Sequence, residues 1–269
     1  MNVEIQRTDR RVVLDDGAET LVTQWGKRGP LMLCIHGMTS SRLGWRRLAQ
    51  TYTSRFRVVA YDQRGHGESA DVVGPMTIAR CVRDLENVAR ALDEPVDVLI
   101  GHSWGGAVAV RGGARVAQRT VAIDPVAHRV SDTWFAEYLD ELAETFALHG
   151  EARDARVRLD HAALHPDDLD GKVHAMHAMR AQALIGLRDQ NSAADWDLDG
   201  ALAAFERPLL LALADPSESI IDPEPFERLR SLRKPNVTVD VFAGEGHSLH
   251  RSALEAFTRA VDRFLARTA

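Results

Sequence analysis

A serine between two glycines is the residue of this chain best suited to nucleophilic chemistry. The sequence Gly-His-Ser-Trp-Gly at 101–105 follows an apolar segment at 96–100 and precedes a run of small residues at 107–116. This order of strand, Gly-x-Ser-x-Gly and helix is typical of a nucleophile elbow, a sharp turn that exposes a serine hydroxyl above a sheet. The glycines allow strand and helix to approach closely, and the helix N-terminus favours negative charge beside the serine. We therefore predict that Ser103 is a nucleophile.

A serine hydroxyl is a weak nucleophile and needs a neighbouring base. The candidate is His247, in Gly-Glu-Gly-His-Ser at 244–248, a glycine-flanked loop after the last predicted strand. Such a loop histidine could also be an ordinary surface residue. Since a serine elbow precedes it in the chain, we predict that His247 is the catalytic base.

The predicted elements that must position these residues are strands alternating with helices. This alternation predicts an α/β protein, with a mostly parallel sheet and helices on both faces. A hairpin, turned by Asp-Asp-Gly at 15–17, begins the chain. The predicted strands cover 11–14, 20–25, 31–35, 56–61, 96–100, 120–124, 208–214 and 237–242, and the predicted helices of this core cover 43–53, 77–92, 107–116, 225–232 and 249–266.

Ligands of such sheets bind at the carboxyl ends of the strands. The segments 36–38, 62–69 and 101–105, together with Asp124, each follow a predicted strand. We therefore expect them to converge on one site.

The alternation stops between about 125 and 205, where helices are predicted at 133–148, 152–164 and 169–187. We interpret residues 126–205 as a helical cap inserted into a core formed by 1–125 and 206–269. As a hypothesis, Met176, Met179 and the aromatic residues of this segment line an acyl pocket. His161 and His165, and likewise His174 and His177, have the spacing of one helical face, but no cysteine or carboxylate pattern accompanies them and no metal site is predicted.

Composition narrows the function classes. The chain has 269 residues, 45% of them hydrophobic, and a formal net charge of -6, which argues against a nucleic-acid partner. The first 16 residues are charged and have no apolar signal-peptide core, so no signal peptide is expected there, and the apolar run at 209–214 is too short to cross a membrane. Cys34 and Cys81 are predicted to be buried free thiols, and we expect a cytoplasmic protein without a membrane partner.

Taken together, the motifs resemble the α/β-hydrolase superfamily over nearly the whole chain. They are His-Gly at 36–37, Asp-Gln-Arg-Gly-His-Gly-Glu-Ser at 62–69, the elbow at Ser103, and Gly-His at 246–247. The resemblance implies an α/β-hydrolase fold and no cofactor. It also implies an oxyanion hole formed by the backbone N–H groups of Met38 and Trp104. The other histidines of these loops, His36, His66 and His102, are expected to satisfy backbone groups.

The acid that orients the histidine is the least defined member of the site. The family commonly takes it from the loop after the strand at 208–214, where this chain reads Ala-Asp-Pro-Ser-Glu-Ser at 214–219. Counting from either end of the loop places Ser217 or Glu218 at the family position. We place Asp215 first, Asp124 second, because some members take their acid from that strand end, and Glu218 third. Asp124 could instead serve only to form a turn before a proline.

The resemblance implies a serine hydrolase that acts on a small-molecule ester through an acyl-enzyme, with carboxylesterase as the favoured activity. A lactonase, thioesterase, C–C bond hydrolase, cofactor-free haloperoxidase or perhydrolase remains an alternative, and a non-catalytic binding protein is more remote. Serine at the elbow argues against dehalogenase or epoxide hydrolase chemistry. No phosphate-binding glycine motif follows a strand, which argues against nucleotide chemistry. The sequence leaves the substrate and the oligomeric state open.

Overall fold

The centre of the protein is an eight-stranded sheet. The computed structural model describes residues 6–72, 74–177 and 179–268. The strand order is β1-β2-β4-β3-β5-β6-β7-β8; β2 pairs antiparallel with β1 and β4, and all other pairs are parallel. The strands are β1 Arg7–Val13, β2 Glu19–Trp25, β3 Leu31–Ile35, β4 Arg57–Tyr61, β5 Val96–His102, β6 Ala117–Ile123, β7 Leu209–Leu213 and β8 Val237–Val241.

Both faces of the central strands are buried, which is why they read as continuous apolar runs. In β3, the side chains of Leu31, Leu33 and Ile35 belong to one hydrophobic core, whereas Met32 and Cys34 belong to a second core on the opposite face. The helices α2 Ile78–Ala91, α3 Trp104–Val116 and α10 Pro223–Arg230 cover the first face, and α1 Arg46–Tyr52 and α12 Leu254–Arg267 cover the second. The predicted mostly parallel sheet with helices on both faces is confirmed.

Some predicted helices are divided in the structure. The helix expected at 43–53 begins as a 3₁₀ turn, Arg42–Trp45, before α1. The helix expected at 249–266 consists of α11 Leu249–Ser252 and α12, separated by the non-helical Ala253. Apolar periodicity does not reveal such breaks, because the buried face continues through them.

The described residues between β6 and β7 form six helices. They are α4 Asp132–Ala147, α5 Gly150–Asp160, α6 Pro166–His177, α7 Ala181–Asp189, α8 Ala193–Trp196 and α9 Asp199–Ala203. The single helix expected at 169–187 is thus divided into α6 and α7, before which Arg180 is extended. The short helices α8 and α9 were not predicted.

This segment has a hydrophobic cluster of its own, which includes Met176 and Met179, both almost completely buried. Neither methionine is among the residues that line the cavity beside Ser103, so the expectation that they line a pocket there is not met. Since α5 ends at Asp160, His161 and His165 do not share a helical face. No helix among the described residues is long and apolar enough to cross a membrane.

Candidate active site

Ser103 lies in a strained turn between β5 and α3. Its backbone has φ 55° and ψ -119°, a conformation that a residue with a side chain rarely adopts. A Cβ on Gly101 would lie 2.2 Å from the carbonyl oxygen of Gly105, and a Cβ on Gly105 would lie 2.4 Å from the carbonyl oxygen of Ile35. Both glycines of the motif are therefore required by close backbone approach, and the geometry is that of a nucleophile elbow.

Backbone strain is concentrated around this turn. Of the described non-glycine residues, four have a positive φ, and three of these are Thr39, Ser103 and Asp124. They follow β3, β5 and β6, which are neighbours in the sheet. Strained residues persist only where the surrounding structure fixes them, and they cluster at functional sites. The carboxyl ends of the three strands thus form one site, as their order in the sheet requires.

His247 is oriented by a carboxylate at this site. Its Nδ1 lies 2.7 Å from Oδ2 of Asp124, whose side chain is fully buried. The other oxygen of Asp124 accepts hydrogen bonds from the backbone N–H of Ala214, at 3.1 Å, and from the hydroxyl of Ser219, at 2.8 Å. Because a carboxylate only accepts, the proton of a neutral His247 lies on Nδ1, and its Nε2 is free to accept another proton.

Asp215, which the sequence analysis places first as the acid, is bonded elsewhere. Its carboxylate accepts hydrogen bonds from the backbone N–H of Gly244, at 2.8 Å, and from the backbone and hydroxyl of Ser217, at 2.9 and 2.7 Å. These bonds lower the pKa of Asp215 and join the loop after β7 to the loop that precedes His247. Glu218 is exposed. The structure therefore corrects the ranking: it brings Asp124 to His247, not Asp215 or Glu218.

A cavity of about 340 Å³ opens above the serine. Ser103 and His247 both line it, although no hydrogen bond joins the two side chains in this structure; contacts of this kind are often looser before substrate binds. Other walls come from the helices between β6 and β7. The residues that line the cavity are Met38, Thr39, Ser40, His102, Ser103, Trp134, Tyr138, His161, Leu164, Lys172, Ile220, His247, Ser248 and Arg251.

Met38 and Trp104 supply backbone N–H groups beside the serine. Met38 follows β3 and lines the cavity, and Trp104 is the first residue of α3. Neither N–H donates a hydrogen bond to another described residue. An unpaired N–H at a helix start attracts negative charge, so the positions expected from the sequence for an oxyanion hole carry free donors.

The buried histidines near the site bond to backbone groups, as expected. His36 accepts a hydrogen bond from the backbone N–H of Gln63, at 3.0 Å, so its proton lies on Nδ1 and is donated to Gly37. Burial lowers the pKa of His36 to about 4. His102, the residue before Ser103, contacts the backbone carbonyl of His247 through Nε2, at 3.1 Å. This contact helps to hold the loop of His247 in place.

Two further features were missed by sequence reasoning. The buried carboxylate of Asp62 pairs with Arg42 and accepts a hydrogen bond from the backbone N–H of Glu68, at 2.9 Å. It thereby joins the segment after β3 to the segment after β4. Lys172 and Arg251, on α6 and α11, place cationic groups in the cavity wall. Among the residues described, no group of three or more His, Cys, Asp or Glu could hold a metal ion.

The fold and this geometry agree with a comparison against known families. A model of the alpha/beta hydrolase family matches residues 32–260. The chain belongs to this family. The α/β-hydrolase fold expected from the sequence is thus confirmed.

Individual relatives and structures are similar along most of the chain. The N-formylmaleamate deformylase of Pseudomonas putida is 26% identical over 90% of this chain and 91% of its own. The 2-(acetamidomethylene)succinate hydrolase of Mesorhizobium japonicum is 26% identical over 95% and 94%. The crystal structure of E-2-(acetamidomethylene)succinate hydrolase, 22% identical, superposes with a TM-score of 0.78 and covers 97% of this chain and 100% of that one. These relatives are hydrolases, which supports a hydrolase activity here.

Proposed function

We propose that the protein is a serine hydrolase that cleaves carboxylic esters through an acyl-enzyme. In this proposal Ser103 is the nucleophile, His247 is the general base, Asp124 orients the histidine, and the N–H groups of Met38 and Trp104 form the oxyanion hole. The observation that carries it is the buried 2.7 Å contact between Asp124 and His247, at the cavity that also receives the strained Ser103.

The groups act in an order set by their protonation. Ser103 Oγ attacks the ester carbonyl while Nε2 of His247 removes its proton, and the two N–H groups stabilise the oxyanion. The imidazolium is stabilised by the Asp124 carboxylate and then protonates the departing alcohol. In the second half, His247 activates water, which attacks the acyl-enzyme and releases the acid with Ser103 regenerated.

In this proposal the segment 126–205 acts as a cap. Trp134 and Tyr138 of α4 stack with ring centroids 5.2 Å apart, and both line the cavity above Ser103. Their rings, together with Leu164, give the cavity an apolar side that suits the hydrocarbon part of a small ester. At about 340 Å³ the space fits a small ligand.

Hydrolysis of an N-acyl bond is a second candidate. The observation in its favour is that two relatives that match along 90% or more of this chain are, by name, an N-formylmaleamate deformylase and a 2-(acetamidomethylene)succinate hydrolase. Turnover of 4-nitrophenyl acetate compared with 4-nitroacetanilide distinguishes the two, since only the bond to the leaving group differs. Preference for the anilide, after correction for its slower spontaneous hydrolysis, would favour the second candidate.

Labelling with a fluorophosphonate tests the nucleophile directly. We expect wild-type protein to form one covalent adduct, which peptide mapping places on Ser103, and to lose esterase activity in step with labelling. Ser103→Ala should neither label nor hydrolyse the ester, and His247→Ala should label at least a thousandfold more slowly. An adduct at another residue of the folded protein, or none, would refute the assignment.

A further inference from the structure

The lining of the cavity above Ser103 is basic. Lys172 and Arg251 both line it, and among the described residues of its wall there is no carboxylate. The nearby Asp124 is already bonded to His247 and lies behind it. Positive groups in a confined cavity raise the local concentration of anions.

Lys172 is buried, and no acidic side chain among the described residues pairs with it. Its side chain is 8% exposed, and Nζ donates to the backbone carbonyl and the hydroxyl of Thr39, at 3.0 and 2.9 Å. These acceptors are neutral and use two of its three N–H groups. Burial lowers the pKa of Lys172 to about 7, with a smaller contribution from the charge of Arg251. The empty cavity thus disfavours the ammonium form of Lys172, whereas a bound anion would stabilise that form.

Arg251 also keeps donors unused. One Nη donates to the hydroxyl of Ser40 at 2.8 Å, while Nε is buried without a hydrogen-bond partner in the part of the chain described. The carboxylate of Asp168 attracts the Arg251 guanidinium electrostatically. Its ion pair, however, is with Arg47, at 3.2 Å. A buried guanidinium N–H left unpaired is costly, and a carboxylate is the acceptor that it prefers.

We propose that Lys172 and Arg251 form a carboxylate-binding subsite, so that the substrates of this protein carry a carboxylate in addition to the bond that is cleaved. The inference rests on the proposed hydrolase function, because it assigns the substrate class of the same cavity. The two basic residues lie on α6 and α11, which are far apart in the sequence. Both line the cavity that Ser103 and His247 also line. A carboxylate bound there supplies the negative charge that Lys172 and Arg251 do not find among the described residues that line the cavity.

Matched esters test the subsite. Mono(4-nitrophenyl) adipate and 4-nitrophenyl hexanoate share a leaving group and a six-carbon acyl chain, but only the adipate ends in a carboxylate. 3-Carboxyphenyl acetate and phenyl acetate provide the same comparison with the carboxylate on the alcohol side. We expect wild-type protein to have a higher kcat/KM for the anionic member of at least one pair. Equal or lower values for the anionic member of both pairs would overturn the proposal.

Variants identify the groups responsible. Lys172→Met and Arg251→Met should each lower the ratio of kcat/KM between anionic and neutral ester roughly ten- to a hundredfold, the effect of losing a charged hydrogen bond. Lys172→Arg should recover part of the ratio. Lys27→Met removes an exposed charge just before β3, at the end of the strand opposite to the cavity. This control should leave the ratio unchanged. Equal losses on both esters would indicate a purely structural role and overturn the proposal.

A binding measurement separates this proposal from the proposed activity. Calorimetry with Ser103→Ala compares monomethyl adipate with dimethyl adipate, which differ only in the carboxylate. Tighter binding of the monoester, lost in Ser103→Ala with Lys172→Met, supports the subsite even if the wild type hydrolyses none of the esters. Hydrolysis of the esters without any preference in turnover or binding would leave the proposed function standing and refute the subsite.

Discussion

Replacing Asp124 by asparagine tests the site through one atom. The carboxylate accepts from four donors: His247 and the backbone N–H of Ile220 on Oδ2, and the backbone N–H of Ala214 and the hydroxyl of Ser219 on Oδ1. In either orientation, the amide NH₂ of asparagine meets a backbone N–H that can only donate. One of these contacts is therefore lost, and we expect a stability loss of about 1–3 kcal/mol.

The effect on turnover should be much larger. If the NH₂ of the amide faces His247, the histidine must place its proton on Nε2 and can no longer accept the proton of Ser103. A triad asparagine of this kind lowers kcat by about 10⁴ in a serine protease, which corresponds to about 5.5 kcal/mol of transition-state stabilisation. We expect Asp124→Asn to lose a similar factor on 4-nitrophenyl acetate at pH 7.

The matched control is Asp215→Asn, the same change in the neighbouring loop. It removes bonds to Gly244 and Ser217 at a partly exposed position, so a loss of less than about tenfold is expected. Initial rates and thermal unfolding curves of both variants should be measured together. The reasoning is refuted if Asp124→Asn keeps more than a tenth of wild-type turnover, or if Asp215→Asn is impaired as strongly.

Three further predictions follow from burial and close packing. Gly105→Ala should destabilise the fold by about 3 kcal/mol and abolish turnover, because the new Cβ would meet the backbone carbonyl of Ile35. The control is Gly200→Ala, in a helix with open space around that position. This change should not lower the thermal midpoint. The pKa of Lys172, lowered to about 7, means that between pH 7 and its ordinary pKa the unfolded chain binds a proton that the native protein has released. Relative to Lys172→Met, wild-type protein should therefore gain unfolding free energy from pH 7 to 9, by at most about 2.7 kcal/mol, in urea titrations, and no relative gain would contradict the burial of its amine. Burial raises the pKa of both Cys34 and Cys81, so neither should react with an aromatic disulfide reagent in native protein and both should react in guanidinium; rapid labelling of either in the native state would contradict this.

The strands and the turn at Ser103 were predictable because local sequence determines them. The continuous apolar run of β3 was predicted with its observed bounds, Leu31–Ile35, since a strand buried on both faces leaves no room for polar residues. The turn at Ser103 was predictable for a related reason. Its two glycines are required by contacts under 2.5 Å, so the motif itself records the close approach of strand and helix.

The carboxylate that contacts His247 was not predictable in the same way. Asp124 and Asp215 both follow strands that are neighbours in the sheet, β6 and β7, and sequence places them equally near the site. Their side chains differ in what they bond: the hydroxyl of Ser219 and the ring of His247 hold Asp124, whereas Gly244 and Ser217 hold Asp215. These are contacts between distant segments, which no local pattern records.

The same distinction explains why the cationic wall of the cavity was missed. Lys172 lies on α6, where the sequence analysis considers only the methionines and histidines, and Arg251 lies in the first turn after the loop of His247. Each residue read alone is a surface cation, because burial of such a charge is rare and has no sequence signature. Their meeting at one cavity follows from the position of α6 over the carboxyl edge of the sheet. That edge already concentrates the strained residues Thr39, Ser103 and Asp124, and Thr39 is also the residue that binds the Lys172 amine. Lys172, which we propose binds the substrate carboxylate, thus also holds the loop beside the proposed oxyanion hole. The charge of the cavity wall and the geometry at the reacting carbonyl are therefore physically linked.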